Sequence, residues 1–160
     1  MNRIKVGDKM PVFSLPDQDG NIFDIGTVLG RKQLVIFFYP KDNSLGCTRE
    51  ACYFQDLSEV FEEAGAMIIG ISGQSSESHK KFAEKNNLKY TLLSDTGDRI
   101  RKLFGVPYDF LGTVPGRATY VVSKDGRIAY IFNSQSRVER HVDEALKICL
   151  LLKKSDTVDA

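Results

Sequence analysis

Hydrophobic and polar positions change their period several times along the chain, and each change marks an element. Leu34-Val35-Ile36-Phe37-Phe38-Tyr39 is an unbroken apolar run closed by Pro40, the pattern of a strand buried on both faces. Ala66-Met67-Ile68-Ile69-Gly70-Ile71 is a second. Between them Phe54, Leu57, Phe61 and Ala64 recur with the three-and-four spacing of a helix face, which predicts one continuous helix. Near the start, Phe13-Ser14-Leu15-Pro16-Asp17 and Asn21-Ile22-Phe23-Asp24-Ile25 flank Gln18-Asp19-Gly20. This reads as a small hairpin, because Asp-Gly supplies left-handed turn residues. Helices are predicted over 76–87 and 97–104, with a short strand over 90–93 between them. Residues 117–122 and 127–132 form a second hairpin across Lys124-Asp125-Gly126, and a helix over 138–153 precedes a polar tail, 155–160, expected to fray.

Strand, helix, strand, helix, strand, helix, hairpin, helix predicts an α/β fold: a central mixed sheet with helices on both faces and an N-terminal hairpin. No internal repeat or Pro/Ser/Gly-rich linker divides the chain, so a single domain over 1–154 is expected. In such folds the helix following a parallel strand starts at the sheet edge where sites are placed. The chemistry is therefore sought just after Pro40.

Composition adds exclusions. The 160 residues are 42% hydrophobic and 27% charged, as in ordinary globular chains. Twenty-two Lys and Arg against 21 Asp and Glu give a net charge of +1, so no bulk field attracts nucleic acid or an anionic membrane. The start lacks the apolar stretch of a signal peptide, and no run approaches the ~18 apolar residues of a membrane span, so a cytoplasmic protein is expected. An odd count of three cysteines, Cys47, Cys52 and Cys149, argues against a structural disulfide framework. Three cysteines and two histidines without CxxC or HxxxH spacing argue against a metal site. The absence of Walker or GxGxxG loops argues against a nucleotide cofactor, so no cofactor is expected.

Projecting the helix period back from Phe54 places Glu50 and Cys47 on its inward stripe, with Cys47 in the first turn. Backbone N–H groups there have no intrahelical partners and the dipole end is positive, so a thiolate is favoured over a thiol. The plain alternative is a small buried hydrophobe. Cys52, five residues on and aligned with Asp56, Glu59 and Glu63 on the polar face, is a second thiol able to resolve an oxidised first one.

The segment Pro40-Lys-Asp-Asn-Ser44-Leu-Gly-Cys47-Thr-Arg-Glu50-Ala-Cys52 resembles the active-site segment of peroxiredoxins, and the added Cys52 resembles their peroxiredoxin Q, or bacterioferritin-comigratory, branch. The resemblance runs on through Gly7-Asp8, Phe13-Ser14-Leu15, Ser78-His79-Lys80-Lys81-Phe82, Leu93-Ser94-Asp95 and Arg117-Ala118-Thr119-Tyr120-Val121, covering residues 4 to about 152. It implies a thioredoxin-like fold, with Cys47 as peroxidatic nucleophile and Cys52 as resolving thiol in a Cys47–Cys52 disulfide. It also implies Pro40 as shield, Ser44 as hydroxyl donor, Arg117 as the guanidinium beside the sulfur and Glu50 as its orienting partner. Hydrogen peroxide or organic hydroperoxides are the implied substrates, thioredoxin or a similar dithiol protein the reductant, and a monomer or weak dimer the state. Ser44 and Leu45 depart from the Thr and Pro usual in the family, which keeps the hydroxyl but loosens the loop.

The remaining candidates read as structural. His79 belongs to a helical apolar pattern, His141 lies among Glu139, Arg140 and Asp143 as a solvated helix residue, and Cys149 shares an apolar stripe with Val142, Leu146 and Leu152 as an inert core thiol. Apart from the resemblance, Arg117 reads as a surface ion-pair residue and Glu50 as a helix-start charge. Two rival functions stay open: a cysteine hydrolase using His79 or His141 as base, and a non-enzymatic thiol redox sensor.

Overall fold

The computed structural model describes residues 3–109 and 111–159. In chain order its strands are β1 Ser14–Pro16, β2 Ile22–Asp24, β3 Gln33–Phe38, β4 Ala66–Ser72, β5 Thr91–Ser94, β6 Tyr108–Asp109, β7 Val114–Pro115, β8 Ala118–Val122 and β9 Ile128–Asn133. The helices are α1 Leu45–Asp56, α2 Ser58–Glu63, α3 Ser76–Asn86, α4 Arg99–Phe104 and α5 Val138–Asp159.

β3 is buried along its whole length because it lies in the middle of a five-stranded sheet of order β5-β4-β3-β8-β9. Its period-two alternation sends Val35 and Phe37, with Tyr39 just beyond, into one core, and Leu34, Ile36 and Phe38 into the other. The first core is filled by Phe54, Phe61, Phe82 and Val142 from α1, α2, α3 and α5. The second is filled by Ile100 and Phe104 of α4 and by Met10, Phe13 and Leu15 from the N-terminal segment. Helices thus cover both faces, and the β1–β2 hairpin forms as expected.

The pairing directions place the site. β3 and β4 are parallel, so their connection must cross over, and α1 begins at the edge where β3 ends. β8 is antiparallel to β3 in a register that opposes Phe38 to Ala118, which brings Arg117, one residue before, beside the end of β3. On β8, Thr119 and Val121 share Arg117's parity; Val121 joins the core that contains α1 and α5.

Three features differ from the sequence pattern. The expected single helix after β3 breaks at Leu57 (φ −101°, ψ 10°) into α1 and α2. There Gln55 donates to Ser58 Oγ while accepting from the Lys89 backbone N–H, so a tertiary contact competes for that turn. α5 continues to Asp159 through positions assigned to the tail, with Lys153 Nζ donating to the Glu63 carbonyl of α2. The small β6–β7 sheet has no counterpart in the hydrophobic pattern.

Candidate active site

Pro40 ends β3, and the chain turns into α1 through Asn43, whose φ of 66° is left-handed. Ser44 is the N-cap by backbone conformation (φ −72°, ψ 151°), but its side chain caps nothing. Its hydroxyl donates to the Lys41 carbonyl at 3.1 Å, while the Ser44 carbonyl accepts from Thr48 N at 2.9 Å and Thr48 Oγ1 at 2.8 Å. Cys47 therefore lies in the first turn of a 12-residue helix, with its sulfur turned inward and the residue only 1% exposed.

Arg117 reaches that sulfur from β8's leading edge. Its Nη2 donates to Cys47 Sγ at 3.4 Å, Nη1 to Glu50 Oε1 at 2.7 Å, and Nε to the Gln135 carbonyl at 3.1 Å. Gln135 is itself held by bonds from its Nε2 to Asp109 Oδ2 at 2.9 Å and the Pro115 carbonyl at 3.0 Å, so the small β6–β7 sheet braces the arginine. A Cβ at Gly46 would lie 3.3 Å from Arg117 Nη2, so the glycine leaves the guanidinium its room. Burial pulls Arg117 toward losing its proton, but Glu50 and Cys47 outweigh it and hold the charge more firmly than usual.

Behind the arginine lies a second buried group. Glu50 is fully buried; that burial pushes its pKa up to about 7, against the pull of Arg117. Among the described residues its Oε2 has no hydrogen-bond partner, and His141 Nδ1 stands 3.8 Å away. His141 Nε2 lies 2.6 Å from the Ser134 carbonyl and must be the N–H donor; Nδ1 accepts from Thr119 Oγ1 at 2.8 Å. Burial pushes this imidazole down to about 4, so it is neutral near pH 7.

Cys47, Glu50 and Arg117 are thus one contact cluster. Pro40 is bonded elsewhere, its carbonyl accepting from Ser72 Oγ and Gln74 Nε2, each at 3.5 Å. Cys52 is on the same helix but apart. It is half-buried rather than on an open polar face, and its Sγ donates to Asn86 Oδ1 of α3 at 3.6 Å. Burial and Asp56 push that thiol up. The three cysteines are free thiols. Cys149 is buried, its thiol pushed up to about 12 by desolvation.

The expectation of a solvated His141 is wrong. The ring is fully buried, because position 141 shares the inward face of α5 with Val138, Val142 and Ala145 whatever the charge of its chain neighbours. Arg117 and Glu50 are likewise buried, not a surface ion pair and a helix-start charge. Asp42, Gln135 and Thr119 were not singled out by sequence reasoning. For Thr119 a signal existed in its strand parity with Arg117, while Gln135 carries none. Among the described residues no helix is long and apolar enough to cross a membrane.

The fold is thioredoxin-like, and the class it defines with this site is that of thiol proteins whose reactive cysteine opens the helix after a central strand. Among curated proteins the chain is 48% identical over 151 residues to "Peroxiredoxin Q, chloroplastic" of Sedum lineare, covering 94% of this chain and 81% of that one. Among solved structures it superposes on the peroxidoxin BcpB of Mycobacterium tuberculosis with a TM-score of 0.84 at 36% identity, covering 92% of this chain and 97% of the other. It also superposes on the bacterioferritin comigratory protein of Xanthomonas campestris, which has alkyl peroxide reduction activity, with a TM-score of 0.80 at 29% identity, covering 88% of this chain and 92% of the other. The chain belongs to the AhpC/TSA family, whose model matches residues 6–131, and within it to the peroxiredoxin Q, or bacterioferritin-comigratory, branch of thiol peroxidases. The expectation of a cytoplasmic protein is overturned by the curated relatives, which are chloroplastic by name.

Proposed function

We propose that Cys47 attacks hydrogen peroxide or an organic hydroperoxide and that Cys52 resolves the product. The Cys47 thiolate forms an S–O bond as the O–O bond breaks, giving a sulfenic acid and an alkoxide or hydroxide that takes up a proton. Cys52 then displaces water to close a Cys47–Cys52 disulfide, and an external dithiol protein, thioredoxin or one like it, supplies two electrons to reopen it. The observation that carries this reading is Arg117, desolvated and donating to both Cys47 Sγ and Glu50. A fixed cation beside the sulfur favours the thiolate and meets the charge that develops on the departing oxygen.

Glu50 orients the arginine, Pro40 screens the loop from water, and the Ser44 hydroxyl must leave the Lys41 carbonyl to reach a peroxide. A cysteine hydrolase would need a base at the thiol. Neither histidine supplies one: His79 is bonded to Asp42 and Leu93, and His141 to Thr119 and Ser134. The chain acts on small peroxides as a monomer or weak dimer, and the chloroplastic names of its curated relatives support a plastid as its compartment.

Peptide mapping after stoichiometric peroxide tests the scheme, and a Cys47–Cys52 linkage is expected. A linkage through Cys149, or an unmodified Cys47, would sink it. Cys47→Ser is expected to reduce peroxide consumption to background while leaving the fold intact, because a hydroxyl does not ionise there.

A further inference from the structure

The loop that delivers Cys47 carries a buried charge that the scheme above does not use. Asp42 is 3% exposed, between the end of β3 and the start of α1. Its Oδ1 accepts from Tyr39 Oη at 2.7 Å, and its Oδ2 from Ser78 Oγ at 2.8 Å and His79 Nδ1 at 2.7 Å. Its backbone N–H donates to Gln74 Oε1 at 3.0 Å. His79 is also fully buried, and its Nε2 lies 3.0 Å from the Leu93 carbonyl. With a carboxylate oxygen against one ring nitrogen and a carbonyl against the other, the His79 ring is held at both ends. Burial pushes the Asp42 carboxyl up, but bonds from His79, Tyr39 and Ser78 more than offset this and hold it below its ordinary value.

Tyr39 just beyond β3 and Ser78 and His79 of α3 hold this side chain, Gln74 before α3 holds the backbone N–H of the same residue, and Leu93 of β5 holds His79 from behind. Immediately downstream the loop is held far less. Asn43 takes the left-handed conformation, the Ser44 hydroxyl reaches only the Lys41 carbonyl, and Leu45 is 83% exposed. An anchor and a hinge are therefore adjacent.

We infer that the buried Asp42–His79 hydrogen bond is a positioning latch that pins the start of the Cys47 loop to α3 and β5, so that opening toward Cys52 begins at Asn43 rather than upstream. The inference rests on Cys47 being the peroxide-reactive thiol. With the loop pinned upstream of Asn43, the sulfenic acid leaves its folded seat more slowly, and while it is seated a second peroxide can convert it to sulfinic acid by forming another S–O bond as an O–O bond breaks. Removing one partner of a buried pair leaves the other uncompensated, so the loop loosens and the sulfenic acid meets Cys52 sooner.

The test follows the full chain turning over peroxide with a dithiol reductant, and reads by mass spectrometry the peroxide concentration at which half of Cys47 becomes sulfinic acid. Asp42→Asn is expected to raise that concentration by about tenfold, and Ser78→Ala, which trims a single bond to Asp42, by about threefold. The rate of Cys47 oxidation is expected to fall in the same order. A residue that merely supports the fold would lower the melting temperature and leave the ratio of sulfinic acid to disulfide where it was. An unchanged ratio in folded Asp42→Asn overturns the latch; should that variant not fold, an unchanged ratio in Ser78→Ala does so. A native chain that consumes no peroxide would instead overturn the peroxidase reading and the latch with it.

Discussion

Glu50 is fully buried, with one carboxylate oxygen on Arg117 and the other facing His141 Nδ1 at 3.8 Å without a bond. Its folded pKa of about 7 exceeds the ~4.3 of an ordinary glutamate, so between those values the folded chain holds a proton that the unfolded chain has released. That contribution favours the folded chain below about pH 4 and is lost as pH rises through about 7. His141 acts in the opposite sense. Pushed down to about 4 from its ordinary ~6.5, it favours the folded chain above that value, and the benefit is lost as pH falls through about 4. The two largely offset, and Glu50→Gln removes only the first. The variant's urea midpoint is expected to rise relative to the native chain's between about pH 5 and about pH 8, and parallel profiles would refute the assignment. Glu50 and Cys47 were legible as one stripe because helix period alone sets their face. His141 was misread because its chain neighbours are charged, although position 141 follows Val138 by three and precedes Ala145 by four.

At the scale of the element, α1 cannot close the disulfide as it stands. Residues five apart on a helix are separated by ~7.5 Å of rise and ~140° of turn, which puts the two α-carbons roughly 8.7 Å apart, beyond the ~7 Å a disulfide spans. The first turns must therefore unwind. Their outer ties are weak: Arg49 pairs with Glu139 at 2.8 Å with both side chains about half exposed, and Tyr53 Oη donates to Asp143. Tyr90 Oη also holds the Ala51 carbonyl at 2.8 Å. Phe54, fully buried and stacked on Phe37 at a centroid distance of 4.5 Å, limits the opening to the turns before it. Hydrogen exchange across 45–53 is expected to rise sharply on oxidation while β3 stays protected. Arg49→Ala is expected to speed disulfide formation by about two- to fivefold, the worth of an exposed pair. A Cys47–Cys52 disulfide form with the first turn of α1 intact would refute this, as would pairing of Cys47 with a cysteine of a second chain. The break at Leu57 was not legible, because the residues that decide it, Gln55, Ser58 and Lys89, meet only after α3 and β5 have packed.

For the whole molecule, one position tests how tightly the sheet and its covering helices fit. A Cβ at Gly70 in β4 would lie 2.8 Å from Phe37 Cζ and 2.9 Å from Leu92 Cδ2, both in the core that seats α1. Gly70→Ala is expected to cost about 1–3 kcal/mol by overpacking, read as a lower denaturation midpoint, and an unchanged midpoint would show that Phe37 and Leu92 have room to yield. Much of this architecture was legible in the sequence by itself. The unbroken run 34–39, the three-and-four stripe through Phe54 and the Asp-Gly turns are local periodicities, set by helix and strand geometry and by the residues that tolerate a left-handed backbone. They were enough to order the elements, place the site after Pro40 and set Cys47 at a helix start. Only the tertiary structure decided that Arg117 lies on the sulfur, since that depends on β8 running antiparallel to β3 in one particular register, a pairing between segments some eighty residues apart. The same holds for Asp42. Its chain neighbours mark it as a loop aspartate, and it becomes the buried partner of His79 because β3, α3 and β5 converge there and remove the water that would otherwise have solvated its charge.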